Sequence, residues 1–188
     1  DVEAPVIEAA RRRAEARGLT DRVSFVLGAP GPLPFADASF DVVFSKDAMV
    51  HVADKSALYA EILRVLKPGG RLMASDWLWT EGAATHPLVE AWNRGNPLGF
   101  VYTTPKEAQA ALEAAGFEDI TLTDRHREIA AGNRADIARL EGPAMQEFAA
   151  LVGEELAADR LRASRARQPV LDAAALIPTH LHGRRPER

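Results

Sequence analysis

The segment LPFADASFDVVF, residues 33–44, passes from a proline-containing loop into a nearly continuous apolar run. Pro34 has no backbone N–H to donate to a β-ladder, so the loop must end after it. The run Phe40–Phe44 has the composition of a parallel strand that is covered on both faces. We therefore predict a buried strand here, whose carboxyl end delivers residues 45–47 to a binding cleft.

Helices and strands alternate around this strand. Capping residues and apolar periodicity predict helices over 5–17, 54–66 and 104–116, and β-rich runs predict strands over 23–27, 71–77 and 117–123. Further helices are predicted over 134–167, broken at Gly142-Pro143, and a last strand over 177–184, antiparallel beside 117–123. The alternation predicts an α/β fold with a mostly parallel sheet and an antiparallel last strand.

Length and composition narrow the class of protein. With 188 residues we expect a single domain, divided into a cofactor-fold part (1–124), a helical insertion (125–176), and a last strand with its tail (177–188). A formal charge of -4 argues against nucleic acid as a partner, although the seven Arg of 159–188 predict a modest, solvated basic tail. Cys is absent, which excludes thiol chemistry, and no apolar run approaches the roughly 20 residues of a membrane span. We expect a cytoplasmic protein that does not bind membranes.

Three segments resemble those of one enzyme superfamily. Residues 33–43 resemble the LPF-x-D-x-SFD-x-V block of Rossmann-like methyltransferases, and LKPGGRL (66–72) resembles the turn that precedes their fifth strand. SKDAMVH (45–51) is similar to a segment of the phosphoethanolamine and small-amine N-methyltransferases. The resemblance implies a class I fold that uses S-adenosylmethionine and methylates a small-molecule amine. Because the chain starts at Asp1, we expect it to be N-terminally truncated, lacking strand 1 and its glycine loop.

The resemblance also implies cofactor-binding residues. Asp1 occupies the position of the acidic residue that accepts hydrogen bonds from the ribose hydroxyls, a role suited to a carboxylate with two acceptor oxygens. Gly28 and Ala29 align with the adenine-binding segment, but Ala29 replaces its usual Asp and cannot accept the bond from the adenine amino group. Ser45 and Lys46, at the predicted strand end, are further candidates for cofactor binding.

Asp47 and His51 are the predicted catalytic pair. They are four residues apart, so a helical turn would place both side chains on one face. By resemblance, Asp47 contacts the substrate ammonium and His51 acts as a base or orients one. The alternative is structural: Asp47 as a helix cap and His51 as an ordinary hydrogen-bonding residue.

Candidate substrate-binding residues lie further along the chain. Trp77 could form an aromatic wall for an alkylated cation, and Arg94 is a candidate anion-binding residue. His182 stands near the position of a phosphate-binding Lys in the phosphoethanolamine enzymes, and the exchange weakens the case for a phosphate-bearing substrate. His180 and His182 share one face of a strand but lack a third ligand, so we predict no metal site.

Two other functions stay open at this point. The absent glycine loop and Ala29 fit a cofactor-deficient or pseudoenzyme module, and a nicotinamide-dependent oxidoreductase would use a similar sheet. No Tyr-x-x-x-Lys pair on a predicted helix supports the oxidoreductase. Since a missing central strand leaves unpaired edges, we expect these 188 residues alone to bind cofactor poorly and to unfold easily.

Overall fold

A computed structural model of the chain describes residues 1–28, 31–94 and 99–188. The helices are α1 Ala4–Ala16, α2 Lys55–Val65, α3 Pro87–Arg94, α4 Pro105–Ala115, α5 His126–Leu140, α6 Ala144–Val152 and α7 Glu154–Asp172. The strands are β1 Phe40–Lys46, β2 Leu66–Trp79, β3 Glu118–Asp124 and β4 Leu176–Arg184, and single 3₁₀ turns cover Met49–His51 and Ala83–Thr85. None of these helices is both long and apolar enough to cross a lipid bilayer.

The four strands form one sheet in the order β1-β2-β4-β3. β1 and β2 are parallel, whereas β4 is antiparallel to both β2 and β3. β1, β2 and β3 therefore run in the same direction and only the last strand is reversed, as predicted. β4 lies beside β3, as predicted, and its other edge pairs with β2.

The predicted strand over 23–27 is wrong. These residues are not in a β-ladder of the described structure, and they lie beside the chain terminus instead. The Asp1 terminal ammonium donates to the Val26 carbonyl (3.2 Å), and Gly28 N–H donates to the Asp1 carbonyl (2.9 Å). Isolated backbone hydrogen bonds of this kind do not make a strand, because a strand is defined by the ladder with its neighbour.

β1 is a strand, but the prediction that both its faces are covered is wrong. Val42 is 48% exposed and Phe44 71% exposed, while Val43, which points to the opposite face, packs against the core. β1 is an edge strand of the described sheet, and helices cover only the face on which Val43 lies. An apolar run indicates burial only where neighbouring elements are present to supply it.

The Lys67–Gly70 turn is part of a bulged start of β2 and does not precede the strand. Phe40 pairs with Leu66 and Val42 pairs with Arg71, so the residues between Leu66 and Arg71 bulge out of the register. Gly69 has φ +74, a conformation that favours glycine, and the Glu187 carboxylate lies where a Cβ would stand.

Local signals placed α2 and α4 accurately. Asp54 caps α2 by accepting from Ala57 N–H (2.9 Å). Thr104 and Glu107 form the predicted capping box of α4, and Gly116 ends that helix with φ +100. These two helices pack on one face of the sheet, where their aliphatic side chains join those of β2 and β4 in the main core.

The helical insertion lies between β3 and β4 and consists of α5, α6 and α7. Its first helix begins at His126, earlier than the predicted helical span 134–167, and the insertion has a break at the predicted Gly142-Pro143 and a second at Gly153. A second core cluster joins Val170 of α7 to α3 and to the carboxyl end of β2. The insertion thereby positions α7 over the end of the sheet where β1 and β2 terminate.

Candidate active site

The carboxyl ends of β1 and β2 meet because the two strands are parallel and in register. Lys46 pairs with Ser75, so Asp47 follows the end of β1 at the level of Ser75 and Asp76 in β2. Asp47 N–H donates to the Ser75 carbonyl (2.8 Å), and Asp47 has φ +53. Residues in this left-handed conformation are often found where a side chain must project at a functional site.

The Asp47 carboxylate lies between two donors at this edge. Lys46 Nζ is 2.8 Å from its Oδ2, and Ser75 Oγ is 3.5 Å from its Oδ1. Lys46 thus places its ammonium on Asp47. Ser45, one residue earlier, points to the opposite face by strand alternation. The cofactor-binding roles of Ser45 and Lys46 stay predictions.

Two buried charged residues, Asp76 and Lys55, hold the turn that follows Asp47. Asp76 is 2% exposed, and its Oδ1 accepts from Val50 N–H (3.1 Å). Lys55 Nζ donates to the carbonyls of Met49 and Val52, the latter at 2.9 Å. Burial raises the pKa of Asp76 to about 6, against the opposing effect of Lys55, and burial also lowers the pKa of Lys55.

Sequence reasoning missed this pair, although one signal was available. β2 alternates, so Asp76 lies on the same face as the buried Ala74 and Leu78. A carboxylate at a core position of a strand requires partners, and that requirement alone marks Asp76 as a residue of interest.

His51 ends the turn, and it faces the segment after α3. Its Nδ1 lies 2.8 Å from the Gly99 carbonyl, and its ring packs on Phe100 with centroids 5.2 Å apart. A carbonyl oxygen only accepts, so Nδ1 carries the proton, and in the neutral ring Nε2 keeps a lone pair. Within the described residues, Asp47 and His51 do not hydrogen bond to each other.

An aromatic cluster lies near the carboxyl end of β2. It consists of Trp77, Trp79, Trp92, Phe100 and Tyr102, in which Trp92 stacks on Phe100 (6.3 Å) and Tyr102 packs against both Phe100 and Trp79 (5.5 Å each). The Arg167 guanidinium of α7 lies over Trp77 and Trp92, 5.6 and 5.7 Å from their ring centroids. The prediction that this arginine belongs to a solvated tail is wrong, because the tertiary packing of α7 half-buries it.

The other two predicted substrate residues do not join this cluster. Arg94 is exposed at the last position of α3. His182 pairs with Met73, four residues before Trp77 along β2, which corresponds to about 13 Å. Its Nδ1 lies 3.2 Å from the Asp119 carbonyl on the neighbouring strand. Their substrate-binding roles stay predictions.

At the other end of the chain, Asp1 and Gly28 are brought together. Besides the backbone bond between them, Asp1 Oδ1 accepts from Glu3 N–H (2.9 Å), and the carboxylate is exposed. The carboxylate therefore retains acceptor capacity for a hydroxyl pair. Ala29, the third predicted residue of this group, lies outside the described residues.

Two other features do not coincide with this site. A shallow depression of about 580 Å³ lies between the N-termini of α2 and α4, lined by residues 53–56 with Thr103, Glu107 and Ala111. It is on the Lys55 side of the turn and does not include Asp47. Among the described residues, no group of three or more acidic or histidine side chains could hold a metal ion.

Solved structures share this fold. One is the structure of a Galdieria sulphuraria protein assigned as a sarcosine dimethylglycine methyltransferase. The superposition includes 100% of this chain and 68% of the Galdieria chain, with a TM-score of 0.80 and 18% identity. At this identity the likeness establishes the fold alone, which is that of the Rossmann-like methyltransferases. The predicted fold class is confirmed.

Sequence relatives support the same class. A family profile described as a methyltransferase domain matches residues 1–74. Methyltransferase GfsG of Streptomyces halstedii is 36% identical over 123 residues, 63% of this chain and 43% of the relative. Sterol 24-C-methyltransferase erg6 of Aspergillus fumigatus is 47% identical over 75 residues, 40% of this chain and 20% of the relative. Phosphoethanolamine N-methyltransferase 1 of Triticum aestivum is 36% identical over 92 residues, which are 48% of this chain and 18% of the relative.

These matches confirm the predicted resemblance to S-adenosylmethionine-dependent methyltransferases. The chain spans less than half the length of each of the three relatives. The acceptors in their names differ, a sterol in one and phosphoethanolamine in another, so the acceptor of this protein has to be argued from its own residues.

Proposed function

We propose that the protein transfers a methyl group from S-adenosylmethionine to a small amine. The family profile, the relatives and the fold support the methyltransferase class and this methyl donor. One observation carries the amine as acceptor: the Asp47 carboxylate, at the carboxyl end of β1, already binds an ammonium group, that of Lys46. Lys46 is largely exposed, so a substrate ammonium can displace it at small cost.

His51 supplies the base in this proposal. An ammonium has no lone pair, so the amine must lose a proton before it attacks the sulfonium methyl group. Nδ1–H bonds to the Gly99 carbonyl, which fixes the tautomer in which Nε2 accepts that proton. The new N–CH₃ bond then forms as the S–CH₃ bond breaks, and S-adenosylhomocysteine leaves.

The residues near the N-terminus fit the adenosine part of the donor. Asp1 offers a carboxylate whose described bond, from Glu3 N–H, uses one oxygen, and the Asp1–Gly28 backbone bond holds the two residues side by side. We propose that Asp1 binds the ribose hydroxyls and that backbone groups near Gly28 contact the adenine. The donor supplies an electrophilic methyl group, and the chain supplies position and proton removal.

The narrower part of the proposal concerns a segment before Asp1. β1 has an unpaired edge in the described sheet, and its residue Phe44 is exposed. Unpaired strand edges with exposed apolar side chains are normally covered in stable proteins. We propose that an upstream strand pairs with β1 in the full-length protein and that the 188 residues alone bind S-adenosylhomocysteine weakly. Calorimetric titration of both forms tests this, and tight binding by the 188 residues alone would disprove it.

The function itself is tested with the full-length protein and a panel of amines, with S-adenosylhomocysteine release as the readout. We expect methylation of at least one amine, and about a 100-fold lower kcat/KM in D47N, because a charged hydrogen bond to the ammonium is lost. H51Q is expected to lower kcat with a smaller effect on KM, by the 10²- to 10⁴-fold typical of a lost general base.

The matched control is D41N. Asp41 lies in the same strand, is exposed, and pairs with Lys67 at the opposite end from the site. It should keep kcat/KM within about twofold, as surface ion pairs contribute little. If D47N and D41N behave alike, Asp47 does not bind the acceptor. If the protein binds S-adenosylhomocysteine but methylates no amine, the acceptor class is wrong, and if it binds neither, the pseudoenzyme alternative stands.

A further inference from the structure

The proposed function gives no role to Arg167. Its guanidinium is carried by α7 to the surface formed by Trp77 of β2 and Trp92 of α3. Trp92 is itself fixed by its parallel stacking on Phe100. Three separate elements therefore hold this cation, and a planar guanidinium over aromatic rings keeps its N–H edge available for other partners.

The guanidinium has no anionic partner among the residues that the structure describes. Its neighbours in sequence do: Arg160 pairs with Asp136, Arg162 with Asp159, and Arg165 with Glu141. Arg167 makes no such ion pair, and its Nε atom is buried without a hydrogen-bond acceptor within the described part of the chain. A cation that is half-buried and not neutralised costs stability, which favours a binding role for Arg167 over a structural one.

The charges nearby indicate what such a ligand contacts. Burial and then the charge of Arg160 lower the pKa of Arg167, and the charges of Asp47 and Asp136 oppose this lowering. Ser75 and Trp77 are two residues apart in β2, so their side chains lie on one face of the sheet. Ser75 Oγ is 3.5 Å from the Asp47 carboxylate and the Arg167 guanidinium lies over Trp77, so Asp47 and Arg167 border a common region. A molecule that carries both a positive and a negative group matches this arrangement.

We propose that the methyl acceptor is a zwitterionic amine, whose carboxylate or phosphate group is bound by the Arg167 guanidinium. This inference rests on the proposed function, since it assigns the amine end of the acceptor to Asp47. A guanidinium binds carboxylate and phosphate alike through two parallel N–H···O bonds. The predicted anion-binding residue Arg94 lies instead at the exposed end of α3, and Arg167 takes that role in this inference.

The test uses the full-length protein with three probe acceptors: glycine, which carries a carboxylate, O-phosphoethanolamine, which carries a phosphate, and ethanolamine, which carries neither. We expect one of the two anionic amines to have a far lower KM than ethanolamine. R167M should raise that KM by about 10- to 100-fold, the range for a hydrogen bond to a charged group, and should raise the KM for ethanolamine, which has no anionic group to lose, far less. R167K should restore part of the affinity, because lysine keeps the charge but loses the bidentate geometry.

The matched control is R165M, which removes an arginine of the same helix that pairs with Glu141 on the exposed side. Binding of S-adenosylhomocysteine by every variant shows that the fold is retained. If R167M and R165M give the same KM, or if neither anionic amine is preferred to ethanolamine, the inference is overturned.

A second measurement separates this inference from the proposed function. Calorimetric titration of glycine and of O-phosphoethanolamine into the protein saturated with S-adenosylhomocysteine detects the anion site without methyl transfer. Binding that is lost in R167M and kept in R165M supports the anion site even if no amine is methylated. Absence of binding of both probes to the unmodified protein overturns it.

Discussion

The two faces of the sheet are packed by different kinds of side chain. On the face of α2 and α4 the contacts are aliphatic, and residues such as Leu72, Ile62 and Leu112 are fully enclosed. On the opposite face, near the carboxyl end of β2, lies the aromatic cluster, to which α3 contributes Trp92 and against which α7 packs, and its rings other than Tyr102 are half-buried. The side chains of the aliphatic face are thus enclosed, whereas those of the aromatic face are packed only in part.

The polar groups of the two faces sharpen this difference. In the aromatic cluster the Tyr102 hydroxyl donates to Asn93 Oδ1 (3.0 Å), and the Arg167 guanidinium lies over two tryptophans without a described anionic partner. On the aliphatic face the buried Asp76 carboxylate accepts from Val50 N–H and lies at the border with the site. We infer that the aliphatic face provides most of the folding energy and the aromatic face provides binding.

Truncating the aliphatic core should have the largest effect on stability. Leu112 of α4 is 0% exposed and packs between α2 and the sheet. L112A should lower the free energy of unfolding by about 3 kcal/mol, because it removes buried apolar surface and leaves a cavity. Denaturation by urea measures this change.

The control for that variant is L151A in α6, where the leucine is 84% exposed. Its effect should lie within about 0.5 kcal/mol. The division between the faces also predicts that L112A leaves the KM for the acceptor unchanged once the protein is folded. If the KM for the acceptor rises as much in L112A as in R167M, the aliphatic and aromatic faces do not divide folding and binding between them.

Asp76 gives the next largest effect, and its signature is a dependence on pH. Its folded-state pKa, about 6, lies above the ordinary value of 3.8, so the folded protein holds this proton more tightly than the unfolded chain does. The stabilisation is complete below about pH 4 and is lost as the pH rises to 6. Each pKa unit corresponds to about 1.4 kcal/mol, so about 2–3 kcal/mol changes over this interval.

D76N isolates that contribution, because an amide does not ionise and its oxygen still accepts from Val50 N–H. The free energy of unfolding of D76N relative to the unmodified protein should increase from pH 4 to pH 6. D41N is the control, since Lys67 lowers the pKa of the exposed Asp41 and its contribution is lost only as the pH falls. A constant difference between D76N and the unmodified protein from pH 4 to pH 6 would show that Asp76 is not perturbed by burial.

The features predicted well from sequence are those with local causes. The limits of α4 followed from Thr104, Glu107 and Gly116, which interact within one or two turns of the chain. The reversed last strand followed from the order of elements and the resemblance to a known sheet. The edge position of β1 had no local signal, because the exposure of Phe44 depends on which elements lie beside it.

The site shows the same limit. Asp47 and His51 were predicted from a short motif, whereas Arg167 was assigned to a solvated tail because arginines outnumber acidic residues in 159–188. Its contacts are with Trp77 and Trp92, which lie far away in sequence. Spacing within one helix cannot identify a contact that the packing of three elements creates.

The smallest of these effects tests whether the two faces are independent where they meet. Thr104 caps α4 on the aliphatic side, and the preceding Thr103 carbonyl accepts from Trp79 N–H (3.1 Å) on the strand that carries the aromatic cluster. T104A should cost about 1 kcal/mol in unfolding free energy, and T104S should cost much less because it keeps the capping hydroxyl. If the two faces are independent, glycine and O-phosphoethanolamine should bind T104A as well as they bind T104S. Weaker binding by T104A alone would mean that the end of α4 positions the aromatic cluster, since loss of the cap would then have reached Trp79 through its bond to Thr103.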